Sequence, residues 1–120
     1  MTYEKFIELG GNSEIPQAVF TNREAEYISW INYYTFDRIN YLDPVMIERV
    51  NRNLVELINK SHNDELERKD ISNIKSESVG SHRVDYTVEN NKMYNARLDA
   101  ETYDIIRKYW AHTGLMYRGV

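Results

Sequence analysis

The sequence predicts a mainly α protein, a small helical bundle with a long central helix and a C-terminal helix that continues into an extended tail. Three observations support this fold class. Apolar residues recur at three- and four-residue intervals over most of the chain, strong helix starts precede those runs, and glycines follow two of them. At 120 residues and 42% hydrophobic composition, the chain is expected to form one domain over residues 1–120 with a modest core.

The first two helices are predicted from their start signals. Thr2 can cap a short helix through Leu9, and Gly10-Gly11 then ends it. The segment Thr21–Glu24 has the pattern of a capping box. We therefore predict a second helix of about five turns from that point to around Asn40, with many aromatic residues along its flanks.

The third helix is predicted to be the most regular. Asp43 is a good N-cap, and Pro44 fits the first helical position, where its missing N–H costs no hydrogen bond. The helix should run to about Ser61 or fray on to Arg68, which makes residues 1–68 the helical part. Its apolar stripe is Ile47, Val50, Leu54, Leu57 and Ile58, and its charged ladder is Glu48, Arg52, Glu56 and Lys60.

Residues 69–93 are different in composition, being polar and without helical periodicity. Val84, Tyr86 and Val88 alternate with polar residues, which is the pattern of a short half-buried strand. Gly80 is a plausible turn. We predict a β-hairpin or a structured loop at about 71–89.

The C-terminal helix is predicted within 94–113, with Asp99 as its cap and Gly114 as its terminator. Residues 114–120 form the tail, which is apolar although chain ends are usually polar. Two interpretations remain open: the tail folds back on its own core, or it is a docking peptide that inserts into a partner.

Composition and charge exclude several classes of protein. The net charge is −4, which is the wrong sign for a protein that binds nucleic acid by neutralising phosphates. The absence of cysteine removes disulfides and thiolate sites, so a cytoplasmic protein is the default expectation. No stretch has the length and apolarity of a membrane span or the pattern of a signal peptide.

No catalytic, cofactor or metal site is predicted. His62, His82 and His112 lie in separate segments and form no metal-binding pattern, and no nucleophile-and-base arrangement is evident. The ten tyrosines exceed what a small bundle needs. They either fill a thin core or form interfaces, and an interface explains a helix that is apolar on two sides more economically.

Two stretches resemble the head-tail connector (adaptor) proteins of long-tailed bacteriophages. They are Ile74–Gly80, followed by Val84 and Tyr86, and Thr113–Val120. The order of elements is also similar along nearly the whole chain, including an aromatic helix that ends near Tyr34–Ile39. One departure is Gly80–Arg83, where the family tends to have an acidic residue after the glycine.

This resemblance implies a non-enzymatic virion protein of the neck. Such a protein forms a dodecameric ring beneath the portal protein after DNA packaging and offers a surface to the stopper (head-completion) or tail protein, while genomic DNA passes through the channel without specific binding. The residues implied in portal and subunit contacts are Tyr109, Trp110, Leu115, Met116, Tyr117, Arg118 and Val120. Those implied in contacts to the next component or a neighbouring subunit are Ser76, Glu77, Ser78, Val79, Gly80, Val84 and Tyr86.

A second interpretation stays open. The chain could be a small cytoplasmic regulatory or binding module whose aromatic groove takes a peptide or small ligand. An enzyme is the third possibility, for want of a site.

Overall fold

Helices account for most of the architecture. The computed structural model describes residues 1–77 and 83–117, and for residues 69–77 and 83–92 it describes the backbone alone. In chain order the helices are α1 (Tyr3–Glu8), α2 (Gln17–Tyr34), α3 (Pro44–Glu77) and α4 (Arg83–Trp110), followed by a 3-10 turn over Ala111–Thr113. The predicted mainly helical bundle is confirmed, and α3, with 34 residues, is its long central helix.

The short helix α1 is capped as predicted, and the side-chain amide of Asn59 links the segment after it to α3. The Thr2 hydroxyl accepts a hydrogen bond from the Lys5 N–H at 3.1 Å. After the helix ends, the side-chain oxygen of Asn59 on α3 accepts from the Asn12 N–H at 2.8 Å, and its Nδ2 donates to the Gly10 carbonyl at 3.0 Å. Because Asn59 uses both its acceptor and its donor, it fixes the α1–α2 connection from both sides.

Helix α2 begins four residues before the predicted capping box, so that prediction is wrong. The helix starts at Gln17 after an extended Pro16, and the Thr21 hydroxyl donates to the Gln17 carbonyl inside the helix at 3.0 Å. The reason is tertiary packing: Phe20 is buried, and its ring centroid lies 4.8 Å from that of Phe6. An additional helical turn carries Phe20 into the core, and this burial outweighs a local cap signal.

The start of α3 is confirmed and its end is extended. Asp43 is the N-cap, with its carboxylate accepting from the Val45 N–H at 3.0 Å, and Pro44 is the first helical residue. The helix continues through the predicted end at 61–68 and reaches Glu77.

The predicted hairpin at 71–89 is wrong for the residues that the structure describes. Residues 71–77 belong to α3 and residues 83–89 to α4, so the expected strand over Val84–Val88 is helical. The proposed turn at Gly80 lies outside the described residues. Five alternating residues are a weak strand signal, and an isolated two-stranded hairpin is only marginally stable in water. The same residues can instead extend α4, which packs on α3 further along the chain. The helix α4 therefore starts at Arg83, well before the predicted start at Asp99.

The hydrophobic core lies where α2, α3 and α4 meet, and α1 covers one end of it. Contacts from α3 to α4 pair position 56 with 108, 60 with 101 and 64 with 94, so the two helices are antiparallel. The buried apolar residues are Phe6, Ile15, Phe20, Tyr27, Ile31, Ile39, Val50, Leu54, Val55, Leu57, Ile58, Ile106 and Trp110. Most of the predicted α3 stripe is in this set, but Ile47 is exposed.

The charged ladder predicted along α3 is only partly intrahelical. Glu48 pairs with Arg52 at 3.0 Å as expected, but Glu56 pairs with Lys108 of α4 at 2.6 Å. Lys60 bridges the two helices, because its ammonium lies 2.5 Å from Asp64 of α3 and 2.8 Å from Glu101 of α4.

The carboxylates of Asp64 and Glu101 have a structural role in the helix pair. They lie inside α3 and α4 and hold the two helices together through Lys60. Burial disfavours the charged form of Lys60, but the hydrogen bonds to Asp64 and Glu101 prevail and raise its pKa.

This cluster makes the stability of the protein depend on pH. The hydrogen bond from Lys60 lowers the pKa of Glu101 below its ordinary value of 4.5. A carboxyl group with a lowered folded-state pKa stabilises the fold above its unfolded pKa, and this contribution is lost as pH falls through the folded pKa. We expect Glu101→Gln to be less stable than the wild type at neutral pH, by a difference that shrinks as the pH falls below 4.5. Urea unfolding at neutral and acidic pH measures this difference.

The matched control for this prediction is Asp104→Asn, which changes an exposed carboxylate on the same helix. The difference in unfolding free energy between this control and the wild type should not shrink in the same way as the pH falls. If the unfolding free energy of Glu101→Gln is lower than that of the wild type by the same amount at every pH, the ion pair between Glu101 and Lys60 does not stabilise the fold as described.

Candidate functional site

The end of α2 has a Schellman motif without glycine. The helix ends at Tyr34, six residues before the predicted end, and Thr35 is its C-cap. The Asp37 N–H donates to the Asn32 carbonyl at 2.8 Å and the Phe36 N–H to the Tyr33 carbonyl at 3.3 Å, which are the two bonds of this motif. Phe36 and Asp37 both have φ of +55°, a left-handed conformation that costs L-residues roughly 1–2 kcal/mol each.

The connection after α2 presents apolar side chains to solvent. Leu42 is 90% exposed and Val45 67% exposed, and Phe36 and Tyr41 are also exposed. We call these four residues, together with Tyr117, the corner surface. Single exposed apolar residues are ordinary, but four within one ten-residue segment are typical of an interaction site.

The connection is held in place by polar contacts beneath the corner surface. The Tyr41 hydroxyl donates to the Asn32 side-chain oxygen at 2.5 Å. Burial raises the pKa of the Tyr41 phenol, although the hydrogen bond to Asn32 opposes this. The Thr35 side chain is fully buried and donates to the Ile31 carbonyl at 2.7 Å. The exposed rings and aliphatic chains are therefore carried by a backbone that is fixed at several points.

The first part of the tail turns back beside this connection. Gly114 has φ of +79° and ends the 3-10 turn, which confirms it as the terminator, and the Tyr117 N–H donates to the Gly114 carbonyl at 3.2 Å. The Arg38 guanidinium then donates to the Tyr117 carbonyl at 2.5 Å. The motif ending α2 and the terminal motif, which are 79 residues apart in sequence, are thus in direct contact.

The predicted portal-contact residues differ in their exposure to solvent. Trp110 is fully buried, and its indole N–H donates to the Asn53 side-chain oxygen at 3.0 Å, so it is a core residue and offers no surface to a partner. The side chains of Leu115 and Met116 are partly buried against the core, as the fold-back interpretation expects. Tyr117 is 64% exposed, whereas Arg118 and Val120 lie outside the described residues.

Tyr109 is half-buried and belongs to the α3–α4 charge pairs. Its hydroxyl donates to Glu56 at 3.3 Å, and the Lys108 ammonium lies 5.3 Å from its ring centroid. Burial, followed by the neighbouring Glu56 carboxylate, raises the pKa of the Tyr109 phenol. Among the predicted portal contacts that the structure describes, Tyr117 therefore contributes most of the exposed surface.

The predicted loop contacts are not assembled into a site by the described residues. Ser76 and Glu77 are the last two positions of α3, and Val84 and Tyr86 lie in the first turn of α4. Ser78, Val79 and Gly80 lie outside the described residues. Their proposed contacts to another protein stay a prediction.

An aromatic groove lies along the C-terminal half of α2. It has a volume of about 300 Å³ and is lined by Ser29, Trp30, Tyr33 and Tyr34. The Tyr34 ring also contacts that of Tyr103 on α4, with centroids 4.8 Å apart. Tyr33 is 74% exposed. This groove is the feature that the ligand-binding interpretation requires.

The sequence analysis predicted that α2 continues to around Asn40 and so missed the corner surface. A signal was available, because Tyr41-Leu42 immediately precedes the strong helix start at Asp43-Pro44 and therefore lies outside any helix. Apolar residues in a short connection have little core to enter.

The two histidines that the structure describes, His62 and His112, lie apart from each other. His62 is on α3 near Glu14, with 3.9 Å between its Nε2 and the carboxylate, and the His112 ring lies 2.6 Å from the Arg49 guanidinium. His82 lies outside the described residues. Within the described part of the chain, no three His, Cys, Asp or Glu side chains group as metal ligands, and no helix is long and apolar enough to cross a bilayer.

No protein-family model, curated protein or solved structure matches this chain.

Proposed function

We propose that the protein is a head-tail connector (adaptor) of a long-tailed bacteriophage, a structural virion protein without enzymatic activity. In this role it forms a ring under the portal protein and offers a surface to the stopper or tail protein. The single observation that most supports the proposal is the contact between Arg38 and Tyr117. It joins the end of the aromatic helix, which belongs to the family-like order of elements, to the terminal stretch that resembles the family.

The chemistry of the corner surface suits a permanent protein partner better than a soluble ligand. Its members are aromatic and aliphatic, and they project from a fixed connection. Exposed Phe, Tyr and Leu side chains bury much area on contact, and a rigid backbone reduces the entropy lost on binding.

The strained backbone conformation of Phe36 also supports this proposal. Glycine is the usual residue at this position of a Schellman motif, because a side chain in the left-handed conformation is strained. The chain instead has a large apolar ring there, and that ring is 42% exposed, so the core does not account for it. Strained residues that the core does not require are characteristic of functional positions.

The test of this proposal is binding to the portal protein of the same phage. Phe36→Gly and Leu42→Ser should each weaken binding about tenfold or more, which corresponds to roughly 1.4 kcal/mol per substitution. Neither should reduce thermal stability by much, because Phe36→Gly relieves backbone strain and Leu42 is almost fully exposed. Sedimentation and light scattering of the mixtures, beside melting curves of each variant, measure both effects.

A second candidate function is favoured by the aromatic groove. A peptide or small ligand could bind among Trp30, Tyr33 and Tyr34, and Tyr33→Ser is the matched variant for this surface. If Tyr33→Ser weakens portal binding and the two corner variants do not, the corner surface is not the portal contact. If the wild-type chain ignores the portal protein, stays monomeric and binds a small ligand, the adaptor proposal fails.

A further inference from the structure

Arg38 contacts both parts of the corner surface at once. Its guanidinium lies 5.1 Å from the centroid of the Phe36 ring, and its Nη1 donates to the Tyr117 carbonyl. A guanidinium is planar, so its face can stack on a ring while its edge donates hydrogen bonds. One side chain therefore links the strained end of α2 to the tail.

The tail has two different kinds of attachment. Leu115 and Met116 pack on the core, and the Leu115 N–H is held by the Thr113 hydroxyl at 3.2 Å. Tyr117 has an exposed side chain, and its carbonyl is bound by Arg38 across the surface. The core contacts hold the tail as far as Met116, whereas the position of Tyr117 depends on its turn to Gly114 and on Arg38.

We propose that Arg38 is a positioning residue that couples Phe36 to the tail, so that ordering of either one orders the other. The ring restricts the guanidinium, and the restricted guanidinium restricts Tyr117. Its biological use rests on the proposed function, since a partner that covers Phe36 would meet a tail already set in place. Because coupling free energies are reciprocal, a partner bound to the tail would favour the ordered position of Phe36 by the same free energy by which a partner on Phe36 favours the ordered tail.

A double-mutant cycle without any partner tests this coupling. The variants are Arg38→Gln, Phe36→Gly and the double variant, and the measurement is the 15N order parameter of the Tyr117 amide. In the wild type it should be near the rigid value of about 0.85, and in each single variant it should fall towards about 0.6 or below. The double variant should fall no further than the singles, because both remove the same link.

Two controls separate coupling from general loosening. Leu42→Ser changes an almost fully exposed residue of the same surface and should leave Tyr117 as rigid as in the wild type. Arg52→Gln removes an exposed arginine whose partner is Glu48, and should also have no effect on Tyr117. The Leu115 amide should remain rigid in all variants, since it is held by Thr113 and the core.

Arg38→Lys provides a conservative variant that keeps the charge and the fold. A lysine ammonium lacks the planar geometry that serves a ring and a carbonyl together, so Tyr117 should loosen nearly as much as with glutamine. The inference is overturned if Tyr117 stays rigid in Arg38→Gln, or if Phe36→Gly has no effect on it. A rigid, coupled tail in a protein that does not bind the portal would instead overturn the proposed function and leave the coupling intact.

Discussion

Replacement of Trp110 by alanine should destabilise the protein by about 3–5 kcal/mol, the usual cost of removing a buried large aromatic ring. The ring is fully buried between α3 and α4, and the Arg49 guanidinium lies 5.7 Å from its centroid. The substitution also leaves the buried Asn53 side-chain oxygen without its donor, which adds an unpaired polar group to the cavity. Urea unfolding followed by circular dichroism measures the loss.

Two further variants identify the origin of this effect. Trp110→Phe keeps an aromatic ring in the core but removes the indole N–H and part of the volume. It should cost about 1–3 kcal/mol and remain folded even if the alanine variant does not. Trp30→Ala removes the other tryptophan, which is only partly buried, and should cost clearly less than Trp110→Ala. Equal losses at the two tryptophans would mean that Trp110 is not a central core residue.

Replacement of Gly11 by alanine should destabilise the protein by about 1–3 kcal/mol through overpacking. A β-carbon at this position would lie 2.5–2.6 Å from three atoms of the Phe6 ring, which is far inside van der Waals contact. The ring cannot move away easily, because it is fully buried and packs against Phe20. Thermal and urea unfolding of the variant measure the effect.

The neighbouring glycine supplies the control. Gly10→Ala meets no atom within 4 Å, but its φ of +101° strains any L-residue, so it should also be destabilising. A smaller residue at position 6 distinguishes the two causes. Phe6→Leu should partly rescue Gly11→Ala and should not rescue Gly10→Ala. Strictly additive losses for Phe6→Leu and Gly11→Ala would contradict the steric explanation.

Local signals in the sequence were sufficient where a short motif determines a short structure. Thr2 caps α1, Asp43-Pro44 starts α3 and Gly114 ends the C-terminal helical region, all as predicted. These features depend on backbone groups within a few residues, so the nearby sequence contains the relevant information. The fold class follows as well, because helical periodicity extends over most of the chain.

The errors arose where distant contacts or unusual residues decided the result. The capping box at Thr21 is a good local signal, but the packing of Phe20 on Phe6 extended the helix past it. The end of α2 was missed because a Schellman motif is normally identified by its glycine, and here the residue is Phe36. No local rule predicts a strained phenylalanine, since its conformation is imposed by the hydrogen bonds of the folded connection.

The candidate site was predictable only in part. The terminal motif predicted that the tail is a contact surface, and Tyr117 is exposed there. Trp110 was assigned to the same surface by the family resemblance, whereas the structure buries it in the core. The contact between Arg38 and Tyr117 could not be inferred from the sequence, because it joins residues 79 positions apart.

The cross-helix pairs of α3 and α4 have a consequence for the alignment of these two helices. A helix pair held only by aliphatic side chains could slip by one turn, about 5.4 Å, and still bury similar area. Here such a slip would separate Lys108 from Glu56, Glu101 from Lys60 and Trp110 from Asn53 together. It would also carry Tyr117 out of reach of Arg38. Together these contacts fix the axial register of α3 and α4, and that register determines where the tail leaves the domain.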